Sequence, residues 1–276
     1  MASLIAAIKE LGFYKVVNFA FYKLLIKTRY YQLRFPAKQS IPLFPDRDSR
    51  LLLKLNYTPF SIPAKTSLAN CMGDHQSSLI QASDEIIAGN WRFYGDSLQP
   101  LDLTPPHSDV HWSLIEDHSE TVTDLKDIWE PSRFCWVYTL GRAYILTGDE
   151  RCPKAFVDHY TKFIRHNPEN SGPNWVSAQE VALRLMALVW SLRVFLASPA
   201  STPERQERLV QAIADHAARL PATLLYARSQ NNNHLLSEAA GMYTAGLLLE
   251  GSHPSAARWR KLGWHWFQRG IQDQVA

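Results

Sequence analysis

Cysteine is scarce: Cys71, Cys135 and Cys152 are the only three in 276 residues. They form no CxxC pair and no metal-ligand spacing, and an odd count gives no disulfide framework. Cys135 and Cys152 fall in helical patterns and are expected to be small buried hydrophobes. Long apolar runs are also missing. No stretch reaches about 18 apolar residues, so no transmembrane helix is expected. Met1 to Lys9 has neither the basic n-region nor the small-residue cleavage site of a secretory signal. Charge of one sign does not dominate: the net charge is +3 and the pI is about 8.7. That bias is too weak to point to nucleic acid. There is no GxSxG elbow, Walker A loop, GxGxxG or HExxH, so nucleotide chemistry and the commoner serine hydrolase chemistry lack support. No cofactor is implied.

What is present is globular. Hydrophobic residues make up 46% and charged residues 20%, enough for one large core with or without a smaller annex. Nine Trp, eleven Tyr and twelve Phe are an aromatic excess. Aromatic faces stack on sugar rings, and they equally fill a core. The basic residues crowd one end: Lys9, Lys15, Lys23, Lys27, Arg29, Arg34 and Lys38 face only Glu10. Residues 1–35 read as a helical segment with a broad apolar face. Such a basic amphipathic segment can make a peripheral membrane contact through residues 1–38, or pack on the rest of the protein.

Residues 36–122 carry Pro36, Pro42, Pro45, Pro59, Pro63, Pro100, Pro105 and Pro106 and read as an irregular lead-in. Short pieces such as Ser49–Leu55 and Ile86–Phe93 can be strands or helix turns. From residue 123 to 276 the pattern is helical. Pro131 can open a helix that Gly148 ends. Pro153 sits early in the next, which Asn167-Pro168 stops. Ser177-x-x-Glu180 has the form of a capping box. Thr202-Pro203 opens a further helix, one runs from near His234 to Leu249, and Pro254 opens the last. The expected fold is therefore mainly α, with three antiparallel hairpins of about 40–50 residues each. Serial hairpins build either a solenoid or an α/α toroid, and periodicity does not separate the two.

Three clusters can carry chemistry. Asn231-Asn232-Asn233-His234-x-x-x-Glu238 stands at a helix junction. Asn233 can cap the helix, with His234 and Glu238 as a pair one turn apart. Alternatively, Asn and His donors at a helix start stabilise the enolate-like state of a uronate during β-elimination at C5. His234 and Glu238 also have metal-ligand spacing, but no third ligand is tied to them, so no metal is expected. In Trp129-Glu130-Pro131-Ser132-Arg133, Glu130 can meet the amide ends of a helix. Arg133 can pair with a carboxylate of the protein or of a substrate. In Gly172–Arg184, Glu180 can cap its helix and form an i,i+4 pair with Arg184. Asn174 and Trp175 lie in the preceding loop, where sugar contact is possible.

In this order the clusters resemble the heparinase II/III family of polysaccharide lyases. Trp91-Arg92-Phe93-Tyr94-Gly95 resembles the family's aromatic lead-in. Asp124-x-Lys126-Asp127-Ile128-Trp129-Glu130-x-x-Arg133, Leu140-Gly141-Arg142-Ala143-Tyr144 and Thr147-Gly148-Asp149-Glu150 follow its pattern. Asn174-Trp175 with Glu180–Arg184, and Asn233-His234 with Glu238-Ala239-Ala240-Gly241, complete the match over about residues 85–270. The resemblance implies an α/α toroid followed by β-sandwich domains, and lyase action on an acidic, uronate-containing polysaccharide. It gives Asn233 and His234 the task of neutralising the substrate carboxylate. Trp129, Glu130, Arg133, Asn174, Trp175, Glu180 and Glu238 would line or brace the cleft. It also implies a periplasmic or secreted protein. The family's catalytic Tyr and its β domains lie downstream of the segments matched. The expectation is therefore a fragment, with little or no lyase activity alone.

Overall fold

The computed structural model describes residues 8–9, 12–37, 55–93, 97–115, 125–230 and 232–274. Ser49–Lys54 of the suggested strand, and Tyr94, Gly95, Asp124 and Asn231 of the motifs, lie outside these residues.

The helical segment near the start forms α1 (Phe13–Lys27) and the short α2 (Tyr30–Arg34). Of the proline-rich stretch that follows, the described residues 55–63 and 101–110 are loop and turn. Residues 64–99 contain no proline, and there the chain forms α3 (Lys65–Met72) and α4 (Gln76–Ile87). A two-stranded antiparallel ribbon follows, β1 (Asn90–Arg92) on β2 (Leu98–Pro100). Next come α5 (Trp112–Ile115), α6 (Leu125–Ser132) and α7 (Trp136–Thr147). They lead into α8 (Arg151–His166), α9 (Ala178–Val194) and α10 (Pro203–Gln230). The last two are α11 (His234–Leu248) and α12 (Ala256–Gln274).

Several boundaries follow from local chemistry. Gly148 takes the left-handed conformation that ends α7 (φ 72°), which glycine adopts at no steric cost. The Ser177 hydroxyl accepts the Glu180 amide at the start of α9. One boundary differs from expectation. Pro131 does not open the long helix but sits inside α6, close to its end. The chain then turns through Phe134, whose φ is 62° and whose ring is fully buried. Phe134 takes the interior position there, and Cys135 is left exposed, unlike the buried Cys152.

The last six helices pair as hairpins: α7 with α8, α9 with α10, and α11 with α12. The first helices of the hairpins also touch in succession, α7 on α9 and α9 on α11. This makes an arc two helices thick. Buried α9 is its centre, apolar on nearly every face, as a helix enclosed by neighbours must be. Close approach is secured by glycine. A Cβ on Gly241 would lie 2.9 Å from Ala182 of α9, and one on Gly263 would lie 2.5 Å from the Tyr243 backbone nitrogen of α11.

α1 lies along α10. The Tyr22 ring meets Tyr226 at 4.8 Å between centroids, tilted by 42°, and Tyr22 is buried with Asn18 and Ile26. The opposite face of α1 leaves Phe13, Val17, Phe21 and Leu24 exposed.

Candidate functional site at the shared helix starts

Serial hairpins have a geometric consequence. Because α7, α9 and α11 are each followed by a returning helix, they run in the same direction. Their amino-terminal ends therefore gather at one edge of the arc. The three sequence clusters sit at those three ends: Arg133 just before α7, Glu180 in the first turn of α9, and His234 at the start of α11.

Arg133 joins the first two. Its Nε donates to Glu180 Oε2 at 2.5 Å and a terminal nitrogen donates to Oε1 at 3.0 Å, a two-pronged pairing. Its other terminal nitrogen donates to Glu130. The hydrogen bonds to Glu180 hold the guanidinium well above its ordinary pKa. Arg133 is thus committed to carboxylates of the protein. Glu130 lies in the last turn of α6 rather than at a helix start, and pairs with Arg133 instead of with free amides. Glu180 and Arg184 do not form the expected helix pair: Glu180 turns to Arg133, while Arg184 turns inward.

Arg184 is fully buried. Its terminal nitrogens donate to the Ser132 carbonyl at 3.0 Å and the Asn174 carbonyl at 2.8 Å. Its Nε donates to His216 Nε2 at 2.8 Å. The guanidinium lies 5.0 Å from the Phe163 ring and 5.6 Å from the Trp175 ring. Burial lowers its pKa to about 9, with the Glu180 charge opposing, so it stays charged at neutral pH. A guanidinium only donates, so His216 Nε2 must accept. The proton then sits on Nδ1, which donates to the Ala212 carbonyl at 2.7 Å. Burial, then the Arg184 charge, keep this imidazole neutral.

The turn before α9 is a one-turn 3-10 helix, Pro173–Trp175, buried throughout. Asn174 and Trp175 are therefore not in an open loop, and neither reaches solvent to touch a sugar. Asn174 Nδ2 donates to Asn167 Oδ1 at 2.7 Å. The Trp175 ring packs on His216 at 4.7 Å between centroids. Arg219, likewise buried, donates to the Trp175 and Val176 carbonyls at 3.1 and 3.3 Å. Half-buried Trp129 closes the same turn from outside, its indole N–H donating to the Pro173 carbonyl at 2.9 Å.

At the third end, Asn233 has no capping side-chain bond. The cap comes from Asn232, whose Oδ1 accepts the His234 amide at 3.0 Å. Asn233 is exposed and His234 is half-buried. Burial lowers the His234 pKa, and the Glu180 carboxylate opposes this. Gln179 Nε2 donates to Ser237 Oγ at 3.4 Å and ties the two helix starts together. Glu238 does not pair with His234. It points inward, is 1% exposed, and neither carboxyl oxygen has a hydrogen-bond partner among the described residues. At this depth it lies behind the surface rather than on it. Burial raises its pKa well above the ordinary 4.5, with Arg219 opposing.

The nine candidate residues thus separate by depth. Asn233, His234, Trp129, Glu130 and Arg133 reach the edge, while Asn174, Trp175, Glu180 and Glu238 lie behind it. Spacing makes Arg184 a helix-pair residue only, and no motif points to Arg219 or His216. The one signal is an arginine set among apolar residues, at Ala182–Leu185 and again at Ala217–Leu220. No group of three or more potential metal ligands occurs among the described residues.

Residues 88–276 match the family described as Heparinase II/III N-terminus. The chain is similar to a heparin-sulfate lyase of Bacteroides stercoris, 30% identical over 167 residues, which covers 53% of this chain and 24% of that protein. A heparin-sulfate lyase of Bacteroides thetaiotaomicron is 28% identical over 146 residues, 52% of this chain and 20% of that protein. The chain therefore spans about a quarter of the length of the curated relatives it matches. Among solved structures, a heparan sulfate lyase from Pedobacter heparinus is similar in fold over 100% of this chain and 37% of its own, with a TM-score of 0.57 at 21% identity. The arc of hairpins is accordingly part of an α/α toroid.

The buried Glu238 carboxyl gives a pH test. Its folded pKa is raised, so the unfolded chain releases the proton first, and stability falls as pH rises from about 4.5 through the raised value. The Glu238→Gln variant keeps the shape without the ionisation. Urea melts at several pH values should show the variant gaining on the wild type as pH rises through that window. A stability difference independent of pH would contradict a buried, protonated Glu238.

Proposed function

This chain belongs to the heparinase II/III amino-terminal family, and from that premise we propose that it forms the helical wall of a polysaccharide lyase site. The substrate is an acidic, uronate-containing polysaccharide cut by β-elimination. The observation that carries this reading is the pair Asn233-His234 at a helix start that the Gln179–Ser237 hydrogen bond ties to the start of α9, where Glu180 lies.

In β-elimination the proton at C5 of the uronate is removed and the bond from C4 to the glycosidic oxygen breaks. The C5 proton is weakly acidic while the adjacent carboxylate is fully charged. Donors on that carboxylate stabilise the negative charge that spreads into it as the proton leaves. Asn233 offers an amide N–H and His234 an imidazole N–H, and the helix start adds its positive dipole end. Arg133 acts as a positioning residue: it holds Glu180, whose charge acts on His234. Asn174, Trp175 and Arg184 brace the turn that carries Glu180. Removal of the C5 proton and protonation of the leaving oxygen are assigned to groups outside this cluster. The chain alone is then expected to hold the polymer more readily than to cut it.

Titration calorimetry with a uronate oligosaccharide tests this reading. Loss of one charge-assisted hydrogen bond corresponds to roughly tenfold in affinity. His234→Ala and Asn233→Ala should each weaken binding by about that factor, and a neutral oligosaccharide should not bind. Because a bound carboxylate stabilises the imidazolium, affinity should rise as pH falls through the depressed His234 pKa. Binding unchanged in His234→Ala would contradict the assignment. A parallel assay for the absorbance of the unsaturated product separates holding from cutting.

A second reading, a helical scaffold held at an anionic membrane surface, is supported by its own observation. Phe13, Val17, Phe21 and Leu24 are exposed along one face of α1, and Lys15, Lys23 and Lys27 lie on the same helix. Apolar and cationic side chains in this arrangement suit the interface of an anionic bilayer. The chain should sediment with vesicles containing phosphatidylserine, and the Phe21→Ser, Leu24→Ser double variant should not. Equal sedimentation of both would remove this reading.

A further inference from the structure

A cavity of about 380 Å³ lies where α2 and the end of α1 cross α10, next to the start of α12. It shares no lining residue with the Arg133–Glu180–His234 cluster. Three arginines line it, Arg34, Arg219 and Arg258, against one acidic residue, Glu169. Arg219 is occupied with the Trp175 and Val176 carbonyls and with Thr223, and adds its charge from the floor. Arg34 and Arg258 are exposed residues at the mouth.

Asn170 sets a second requirement. Its Nδ2 donates to the Pro36 carbonyl at 3.3 Å and to Glu169 Oε1 at 3.4 Å, which fixes the orientation of the amide. Its Oδ1 lines up no donor among the described residues, although the residue is only 5% exposed. A buried acceptor of this kind costs stability unless something donates to it. Sulfate, which carries no proton at neutral pH, would satisfy the arginines and leave Asn170 unsatisfied. A hydroxylated anion satisfies both. Tyr30 adds an exposed ring to the wall, suited to the apolar face of a sugar.

We propose that this cavity is a second binding site, for an acidic sugar unit, with Arg34 and Arg258 taking its carboxylate or sulfate and Asn170 Oδ1 accepting from a hydroxyl. The site does not depend on the proposed lyase wall, because the two have separate residues. It would anchor an acidic glycan away from the reacting edge. Arg219 connects them in one direction only: it lines this cavity and also holds the turn that precedes α9.

Saturation-transfer NMR and calorimetry on the full chain test the site, with glucuronic acid as probe and glucose and inorganic sulfate as comparisons. Glucuronate should bind, glucose should not, and sulfate should bind more weakly. Arg258→Ala and Arg34→Ala should each weaken glucuronate by about tenfold, the worth of one charge-assisted bond. Both residues are exposed, and thermal melts that match the wild type establish that the variants are folded. Because the edge can also take a uronate, the arginine variants are repeated in the His234→Ala background, where adding Arg258→Ala should still cost glucuronate about tenfold. The proposal is overturned if the wild type does not bind glucuronate, or if both arginine variants bind it as the wild type does. Loss of binding in His234→Ala alone would move the sugar to the other site. Sulfate binding as tightly as glucuronate would reduce the cavity to an anion hole and overturn the role of Asn170.

Discussion

The structure depends on one buried cation. Arg184 lies inside the arc with no exposure to solvent, and it holds the end of α6 through Ser132, the 3-10 turn through Asn174, and α10 through His216. A buried guanidinium is tolerable only when its donors are met, and each buried acceptor left unmatched costs about 1–3 kcal/mol. The two flanking rings, Phe163 and Trp175, fill the remaining space around it. The helix ends on either side are therefore fixed relative to one another by polar geometry as well as by apolar packing. Arg219 repeats the device one layer away, on the carbonyls of Trp175 and Val176.

That rigidity decides what the edge can do. The hairpin repeat puts three parallel helix starts side by side, and their dipoles favour negative charge there. The protein places its own carboxylates, Glu130 and Glu180, in part of that field and neutralises them with Arg133. The start of α11 is left with neutral donors, Asn233 and His234. An electrostatic site of this kind works through donors held in place before the charge develops. Glu180 links the two halves, since it is gripped by Arg133 and its charge is felt by His234.

Much of the helical frame was legible in the sequence, because its signals are local. Gly148, Asn167 and Ser177 act on residues within one turn of themselves, and each marks a helix end where the structure has one. The aromatic segment at the start of the chain was legible as a helix for the same reason. The partners of the site residues were not, because they are distant in the chain. Arg133 and Glu180 are joined across the first hairpin, and nothing in either local sequence names the other. Glu180 and Arg184 look like a helix pair by spacing, yet each has a stronger partner from another element. Pro131 misled because proline is compatible with a first turn, whereas here it closes a short helix before the Phe134 turn. At the α11 junction the sequence pointed to Asn233 as the cap, whereas Asn232 bonds the His234 amide and Asn233 makes no capping bond, a difference of one residue that backbone geometry decides.

The account rests on the claim that the gathered helix starts receive a substrate carboxylate. A crystal structure of the chain with a bound uronate tetrasaccharide tests this most directly. The account predicts one uronate carboxylate within hydrogen-bond distance of Asn233 and His234, with Arg133 still paired to Glu180. A tetrasaccharide seated elsewhere on the arc, with Asn233 and His234 untouched, would contradict it.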